Sequence, residues 1–576
     1  MRPRSVSPKI CLPLRVTLLL VFRPFVAALL IAFLSSLSHA ALLDILETEL
    51  QRNFQGLAKA DPAPYFMAYS VVEQDSLLLA ATRGALLTNT RSRQRVFDTT
   101  VRVGSYKLDN YHSVRGERVD FTAGNSVPIE DKPAAIRRQL WSDTDRHYRL
   151  AAQRYINLKT STQVALQGSD ASDDFSREEP SRYSGPLASL PSIPDLWAAR
   201  VRNWSAALAA HSGVLSSSVS VFFMAENKYF VNTEGSRLQH GRNFARIMIS
   251  AMGRAPDGMD VSTSESFEAQ DPSRLPPEAE VTAAVNRVGR ELTALINAPL
   301  VEPFVGPAIL SGRASGVFFH EIFGHRIEGH RQKDDTDGQT FTKSVGRPVL
   351  PAFLSVLFDP TRKSYAGVDL NGSYEYDDEG VKARPVVAVE KGILKAFLMS
   401  RSPIAGFPNS NGHGRRQPGL EVVSRQSNLI VESTHQVPES KLREMLIAEV
   451  KRQNKPYGLY FKHVTGGFTF TGRRGLQAFK VIPLVVYRVY PDGRPDELVR
   501  GVDIVGTPLA SFSKILATGD KPEVFNGYCG AESGNVPVSA VSPAILVSEI
   551  EIQKKEKGND RPPLLSPPPQ TPERTE

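Results

Sequence analysis

Cysteine is nearly absent from this chain of 576 residues, which contains only Cys11 and Cys529. Cys11 lies in a basic N-terminal segment that we expect to be removed, so Cys529 would be the only cysteine of the mature chain. A single cysteine excludes an internal disulfide bond. The thiol of Cys529 is therefore free, paired with another chain, or bound to a metal ion.

The N-terminus also lacks an apolar run long enough for an ordinary membrane span, which needs about 20 residues. The apolar run at residues 25–37 is shorter, follows a basic segment without acidic residues, and precedes Ser38-His39-Ala40, a small-x-small cleavage pattern. We therefore predict a signal peptide at residues 1–40 and export, with a periplasmic or secreted location. An uncleaved N-terminal membrane anchor is the alternative.

The mature chain lacks a strong net charge. The whole sequence carries a formal charge of +8, but residues 1–40 contain five basic and no acidic residues, so removal of this segment leaves +3. The high isoelectric point thus owes much to the signal segment. We predict no nucleic-acid partner, because a basic surface for one is missing.

Length and composition indicate two domains. About 536 mature residues exceed what one hydrophobic core usually organises, and 41% apolar residues can supply two cores. Prolines 299, 303 and 307 mark a boundary near residue 300. We predict an N-terminal α+β domain at 41–300, a C-terminal catalytic domain at 301–553, and a disordered, proline-rich tail at 554–576.

The spacing of apolar residues predicts an α+β fold. The N-terminal domain should combine helices with a mixed sheet, and the C-terminal domain should be dominated by antiparallel strands. Amphipathic helices are expected at 41–57, 194–210, 276–296 and 442–451. Among the N-terminal strands, residues 66–72 and 76–81 are expected to be separate strands, and 219–224 with 229–232 are expected to form a hairpin.

The segment His320-Glu321-Ile322-Phe323-Gly324-His325 is the strongest functional motif. Two imidazoles beside a glutamate can hold a metal ion and supply an acid/base group. Histidines five residues apart would diverge by roughly 140° on a regular helix, against about 40° for a spacing of four. We therefore predict a metal-binding helix with a π-bulge or local unwinding near Gly324, and Cys529 as the best candidate to complete the site.

The stretch 316–329 around this motif resembles the H-E-x-x-x-H signature of the TldD/PmbA family of metallopeptidases. The resemblance continues in the same order through Tyr376-Asp377-Asp378-Glu379-Gly380, Glu390-Lys391-Gly392, Gly466-Gly467 and Cys529-Gly530. It covers essentially the second half of the chain and, more weakly, the first. The intact motif is typical of the metal-bearing, TldD-like branch.

This resemblance implies specific roles for four residues. His320, His325 and Cys529 correspond to the metal ligands, and Glu321 corresponds to the catalytic glutamate. It further implies short or unfolded peptides as substrates, and a homodimer or a heterodimer with a PmbA-like subunit. The signal peptide is a departure from the family, whose members are typically cytosolic.

The residues themselves agree with a zinc enzyme. Two neutral imidazoles and a thiolate leave an open position on a tetrahedral ion, and a thiolate ligand favours zinc over magnesium or calcium. Glu321 would activate the metal-bound water for attack on a peptide bond. The alternatives are a non-catalytic peptide-binding or assembly subunit, in which His330 or His413 would complete a closed site, and a metal-dependent amidase acting on non-peptide substrates.

Three further groups allow two interpretations each. Glu328 could support a ligand histidine or be a solvated residue at a helix end. His413 could line the cleft instead of completing the site. Asp377, Asp378 and Glu379 could form a metal cluster or a turn before a strand.

Overall fold

The computed structural model describes residues 42–113, 119, 121, 124–160, 172–190, 195–333, 337–472, 479–506, 511–555 and 565. The predicted signal peptide at 1–40 lies outside these residues, as does the predicted tail apart from residues 554, 555 and 565. No helix in this described part of the chain is long and apolar enough to cross a membrane.

Helices are distributed along both halves of the chain. The described α-helices are α1 (42–57), α2 (Pro133–Thr160), α3 (Leu196–Ala209), α4 (Glu278–Asn297), α5 (Gly312–Ile322), α6 (His330–Lys333) and α7 (Glu439–Arg452). Short 3-10 helices occur at Pro272–Arg274 and Gly324–Ile327.

Strands make up most of the remaining regular structure. Those of the N-terminal half are β1 (Pro64–Thr82), β2 (Ala85–Val103), β3 (Asn125–Ser126), β4 (Arg182–Ser184), β5 (Ser216–Asn232), β6 (Arg237–Arg254) and β7 (Asp260–Ala269). Those of the C-terminal half are β8 (Phe304–Leu310), β9 (Leu354–Phe358), β10 (Ser364–Tyr365), β11 (Val368–Asp369), β12 (Val386–Glu390), β13 (Ile393–Leu394), β14 (Gly414–Arg415), β15 (Val423–Ser424), β16 (Asn428–Ser433), β17 (Gln436–Val437), β18 (Gly458–Thr469), β19 (Phe479–Val489), β20 (Glu497–Val499), β21 (Val502–Gly506), β22 (Ile515–Gly519), β23 (Glu523–Ala531), β24 (Gly534–Ser542) and β25 (Ile545–Lys554).

The N-terminal half is built on one long seven-stranded sheet. Its order is β3-β2-β1-β5-β6-β4, with β7 also paired to β6, and only β4 runs parallel to its neighbour among the described pairings. Alternate residues such as Met67, Tyr69 and Leu79 point to one face, where α1 to α4 cover them. The opposite face carries many polar side chains, including Glu226 and Lys228, and is turned towards the C-terminal half.

The predicted hairpin at 219–232 is wrong. Residues 216–232 form the single strand β5, which pairs with β1 on one side and β6 on the other. The polar residues between the two expected strands have partners in the folded chain. Glu226 accepts from Gln74 at 2.7 Å and pairs with Arg242, and Asn227 bonds the backbone of Ala188. The two strands expected at 66–81 are likewise one strand, β1.

Two large sheets dominate the described part of the C-terminal half, beside the two-stranded sheets β10-β11 and β14-β15. One is six-stranded in the order β13-β12-β9-β16-β24-β23, and the other is eight-stranded in the order β17-β22-β25-β21-β19-β18-β8 with β20 on β19. Most described pairings are antiparallel. Helix α5 contributes to a hydrophobic core shared by both sheets, and α7 packs on the eight-stranded sheet.

The architecture confirms the predicted α+β class. The boundary expected between residues 300 and 301 falls between α4, which packs on the N-terminal sheet, and β8, which opens the C-terminal half. The last described strand, β25, ends at Lys554.

Candidate metal centre

Helix α5 carries the first two residues of the motif and then changes form. Its N-cap is Ser311, whose hydroxyl accepts from the Ala314 N–H at 3.2 Å. Regular α-helix ends at Ile322, and the 3-10 helix begins at Gly324, so the two histidines are not on one regular helix. This is the local irregularity expected from the spacing, in the form of a tightened turn rather than a π-bulge.

Gly324 has a steric reason to be glycine. A β-carbon at this position would overlap the side-chain amide of Gln426. The same amide donates through Nε2 to the carbonyl oxygen of His320 at 3.3 Å. Gln426 therefore holds the end of α5 at the point where the helix changes form.

The structure brings His320, His325 and Cys529 together. Their ligand atoms all lie within 4.8 Å of one another, although 204 residues separate His325 from Cys529 in the chain. The Sγ atom of Cys529 is 3.4 Å from Nε2 of His325, and the two imidazole rings have centroids 5.1 Å apart at 80°. Strand β23 supplies the cysteine, opposite Val536 of β24.

The surroundings favour a thiolate at Cys529. Burial by itself would raise the pKa of this thiol, but the neighbouring His325 and His320 and the guanidinium of Arg425 lower that pKa well below its ordinary value. Burial alone would lower the pKa of His325, yet Cys529 and Glu328 raise it well above its ordinary value. A low-pKa thiol beside two imidazoles suits a divalent cation.

Glu321 lies beside this trio and is itself almost fully buried. One of its oxygens, Oε2, is 4.0 Å from Nε2 of His325 and has no hydrogen-bond partner among the described residues. Burial is the main cause that raises the pKa of Glu321, against the opposing effect of the two histidines. A buried carboxylate oxygen without a donor requires a proton or a cation nearby, so the residues present fit a bound metal and its water.

Glu328 is not a solvated residue at a helix end. Its side chain is completely buried, and Oε2 lies 3.4 Å from Nδ1 of His325, the nitrogen that points away from Cys529. Arg331 donates to the same carboxylate oxygen at 2.8 Å, and Arg425 lies 3.5 Å from the other oxygen. This network fixes the orientation of the His325 ring, which is the usual task of a carboxylate behind a ligand histidine.

Two histidines proposed as a fourth ligand lie elsewhere. His330 Nε2 bonds the carboxylate of Glu532, and His413 Nε2 lies 3.1 Å from the hydroxyl of Ser427. Neither belongs to the cluster of ligand atoms found among the described residues. A closed site completed by either histidine is therefore wrong for this structure.

The acidic group at 377–379 is a structural turn. Asp377 accepts backbone N–H groups of Glu379 and Val381, and Asp378 pairs with Lys228 of the N-terminal sheet at 2.6 Å. These contacts join the two halves of the chain. The interpretation as a turn is confirmed, and no metal cluster forms there among the described residues.

Sequence reasoning missed Arg425, Gln426 and Arg331 as supports of the centre. Arg425 is fully buried and also donates to the carbonyl oxygen of Cys529. These residues carry no local motif, and two of them lie about 100 residues from the helix that they hold. The run Glu328 to Arg331 offered the only local signal, an acid and a base at a spacing of three.

Residues 305–554 match the family model described as the PmbA/TldA metallopeptidase C-terminal domain. This match includes the whole candidate metal centre.

Three curated relatives illustrate the similarity. A metalloprotease of Methanothermobacter thermautotrophicus is 25% identical over 342 residues, which cover 59% of this chain and 70% of the relative. A metalloprotease of Methanocaldococcus jannaschii is 30% identical over 234 residues, 40% of this chain and 47% of the relative. A zinc metalloprotease TldD homolog of Saccharolobus solfataricus is 26% identical over 249 residues, 43% and 51% respectively. This chain thus spans about half the length of several curated relatives that it matches.

The solved structures show the same fold over most of the chain. TldE from Thermococcus kodakarensis superposes with a TM-score of 0.59 at 13% identity, and covers 88% of this chain and 100% of its own. At this identity the similarity concerns the fold alone.

Proposed function

We propose that the protein is an exported zinc metallopeptidase of the TldD/PmbA type, supported by the match of residues 305–554 to the PmbA/TldA metallopeptidase C-terminal domain. Its substrates would be short or unfolded peptides. The observation that carries the proposal is the convergence of His320, His325 and Cys529 beside the buried Glu321. The name of the zinc metalloprotease relative supports the choice of metal.

The three ligand residues would hold zinc through two imidazole nitrogens and a thiolate. When bound, the ion would supply Lewis acidity, which polarises the scissile carbonyl group and makes a water molecule more acidic. The chain's own residues then account for the positions of the ligands. Glu328, held by Arg331 and Arg425, keeps the Nε2 atom of His325 directed at the site.

Glu321 would move the proton. Its carboxylate takes a proton from the attacking water while the water oxygen forms a bond to the carbonyl carbon. When the carbon–nitrogen bond breaks, the same carboxyl group gives that proton to the leaving amine. The raised pKa of Glu321, due mainly to burial, allows the side chain to hold the proton between these two events.

The location and the assembly are part of the proposal. The basic lead, apolar run and small-x-small site at residues 1–40 support export. The family resemblance supports a homodimer or a heterodimer with a PmbA-like subunit. An uncleaved membrane anchor would keep the same catalytic half outside the cytoplasm.

The decisive experiment is peptide hydrolysis by the purified, zinc-loaded chain beside its Glu321→Gln variant. A peptide mixture analysed by mass spectrometry should show cleavage by the parent and a rate at least about 100-fold lower in the variant, because the proton carrier is gone. Both proteins should bind zinc equally. Glu390→Gln, which makes the same change at an exposed carboxylate, should cleave like the parent.

Two outcomes would contradict the proposal. Equal cleavage by the parent and the Glu321→Gln variant would remove Glu321 from the mechanism. Zinc binding without any cleavage, alone or mixed with a PmbA-like partner, would favour the non-catalytic peptide-binding or assembly subunit, in which the metal is structural.

A further inference from the structure

A cavity of about 1110 Å³ lies between the polar face of the N-terminal sheet and the C-terminal half. It is separate from the metal centre. Tyr528 lines the cavity, whereas Cys529, the next residue of β23, approaches His325 on the other side of the strand. Lys363 and Glu375, whose side chains are 67% and 44% exposed, lie at its wall, so the cavity reaches the surface.

Five lysine and arginine side chains line the described wall of this cavity, and four have an acidic partner. The pairs are Lys228–Asp378 at 2.6 Å, Arg242–Glu226 at 3.0 Å, Lys363–Glu375 at 3.1 Å and Arg416–Asp98 at 3.4 Å.

Arg415 is the exception. It is 5% exposed and has no ion pair with any described residue, and its guanidinium makes one hydrogen bond, from Nη1 to the carbonyl oxygen of Gln426. The guanidinium stacks on Tyr374 at 4.6 Å from the ring centroid. An arginine has five N–H donors, so most of its donors remain available.

Acidic side chains of the same wall already form ion pairs with other basic residues. Glu268 pairs with Arg246 at 3.0 Å and Asp369 with Arg274 at 2.6 Å, both with partners outside the cavity wall. Burial is the main cause that lowers the pKa of Arg415, against the opposing effects of Tyr374 and Asp378, and the Asp378 carboxylate is already paired with Lys228. A buried and unpaired positive charge is unfavourable unless an anion joins it.

The shape of the cavity limits the anion. A guanidinium stacked on a ring presents its fork to a planar carboxylate and binds it through two hydrogen bonds. The volume of about 1110 Å³ is slightly above the range of about 300–1,000 Å³ for small-molecule sites and far more than a lone carboxylate needs. Aromatic residues Phe244 and Tyr528 stand beside the polar ones, as suits a ligand with a backbone and side chains.

We propose that this cavity is a second peptide-binding site, in which Arg415 binds the α-carboxylate of a short peptide. The inference rests on the proposed function in one respect: peptide hydrolysis generates peptides with a new α-carboxylate. The site would therefore hold a product or the C-terminal end of a substrate, apart from the metal centre.

The test measures binding by the full chain carrying Glu321→Gln, which cannot turn the probe over. The probes are fluorescein-labelled tetra-alanine with a free C-terminus and the same peptide as its C-terminal amide, followed by fluorescence anisotropy. The free acid should bind about tenfold or more tightly than the amide, because a charge-assisted pair is lost in the amide. Adding Arg415→Gln should lower the affinity for the free acid to that for the amide. The affinity for the amide should stay unchanged.

Lys363→Gln is the matched control, since it removes the same charge from the same cavity at a residue that is already paired. It should keep the preference for the acid. If Arg415→Gln fails to give the thermal transition of its parent, Arg415→Lys replaces it, and the preference should fall about threefold or more because the flat fork is lost.

An equal preference for the acid with and without Arg415 would overturn the inference. So would displacement of the probe by succinate as readily as by unlabelled tetra-alanine, since this would show a simple anion site. Hydrolysis is scored separately on the unmutated chain. A chain that cleaves nothing but needs Arg415 for the preference would refute the proposed function and leave this site in place.

Discussion

At the scale of single residues, Cys529 offers the clearest test of the metal centre. Replacement by serine should weaken zinc binding at least about 100-fold, because a hydroxyl does not ionise as the thiol does here. In the cobalt-substituted protein the sulfur-to-cobalt charge-transfer absorption should disappear. His330→Gln, which alters a nearby imidazole outside the ligand trio, should leave both properties unchanged. A cobalt spectrum in Cys529→Ser identical to that of the parent would remove Cys529 from the site.

Gly467 determines where the carboxylate of Glu321 can lie. A β-carbon at this position would be 2.7 Å from Cγ of Glu321 and 2.8 Å from the carbonyl oxygen of Lys480. Gly467→Ala should therefore displace the glutamate and lower kcat about 10- to 100-fold, with zinc affinity changed less than about threefold.

The control for this prediction is Gly519→Ala in the same sheet, where a β-carbon would meet only ordinary contacts from 3.4 Å. It should retain the kcat of the parent. Stopped-flow peptide hydrolysis and a zinc competition assay give the two readouts. Full activity in Gly467→Ala would show that Glu321 can shift without consequence.

At the scale of elements, the junction between α5 and the 3-10 helix positions the two histidines. Gly324→Ala should destabilise the protein by about 1–3 kcal/mol through overpacking against Gln426 and should weaken zinc binding, because His325 moves with the 3-10 turn. Gln426→Ala added to it should restore part of the stability. Gly316→Ala, within α5 and with a nearest contact of 3.1 Å to Ala540, should destabilise the protein less. Urea unfolding would settle the order of the three variants.

The motif on α5 could be predicted from sequence because it is local. The spacing of His320 and His325 requires a break in the helix, and the structure has that break at Phe323. The contribution of Cys529 was inferred from its rarity and from the family resemblance. Arg425 and Gly467 could not be found in this way, because their roles arise only when separate strands pack on α5.

The long helix α2 was not predicted at all. Its apolar pattern is interrupted by polar residues at buried positions, namely Asp143, Thr144 and His147. Asp143 accepts from Thr99 and Thr144 bonds Tyr69, so the sheet satisfies these groups. A pattern that counts only apolar residues cannot identify a helix whose buried side is partly polar. The false hairpin in β5 has the same origin.

At the scale of the whole molecule, the polar face of the N-terminal sheet is the feature that joins the two halves. The pairs Lys228–Asp378 and Arg401–Glu234 cross between them, the latter with distances of 2.7 and 2.8 Å to the two carboxylate oxygens. Acid destabilises a buried polar interface more than an apolar one, because its ionisable side chains bind protons differently in the folded and the unfolded chain. Stability should therefore depend on pH through a few identifiable side chains.

His240 and His413 should make the protein less stable as the pH falls below neutrality. Burial is the main cause that lowers the pKa of His240 to about 4 and that of His413 to about 3, from 6.5. The unfolded chain binds a proton on each below about pH 6.5, whereas the folded chain does not until the lowered pKa is reached. The contribution of these two histidines to stability is therefore fully present above pH 6.5 and is lost as the pH falls towards their lowered pKa values. Between pH 7.5 and 5 each histidine should account for about 2 kcal/mol.

Glu226 acts in a separate and more acidic pH range than His240 and His413. Burial would raise its pKa, but Arg242 and Lys228 lower it to about 2, so its stabilisation is lost only below about pH 4.5. Urea unfolding of the metal-free chain should give a lower free energy of unfolding at pH 5 than at pH 7.5. His413→Gln should reduce this difference by about 2 kcal/mol. His435→Gln, at an exposed histidine, should keep the difference of the parent. An unchanged difference in His413→Gln would mean that this imidazole becomes protonated without leaving the folded state, which would require water or an acidic group to reach it in the core.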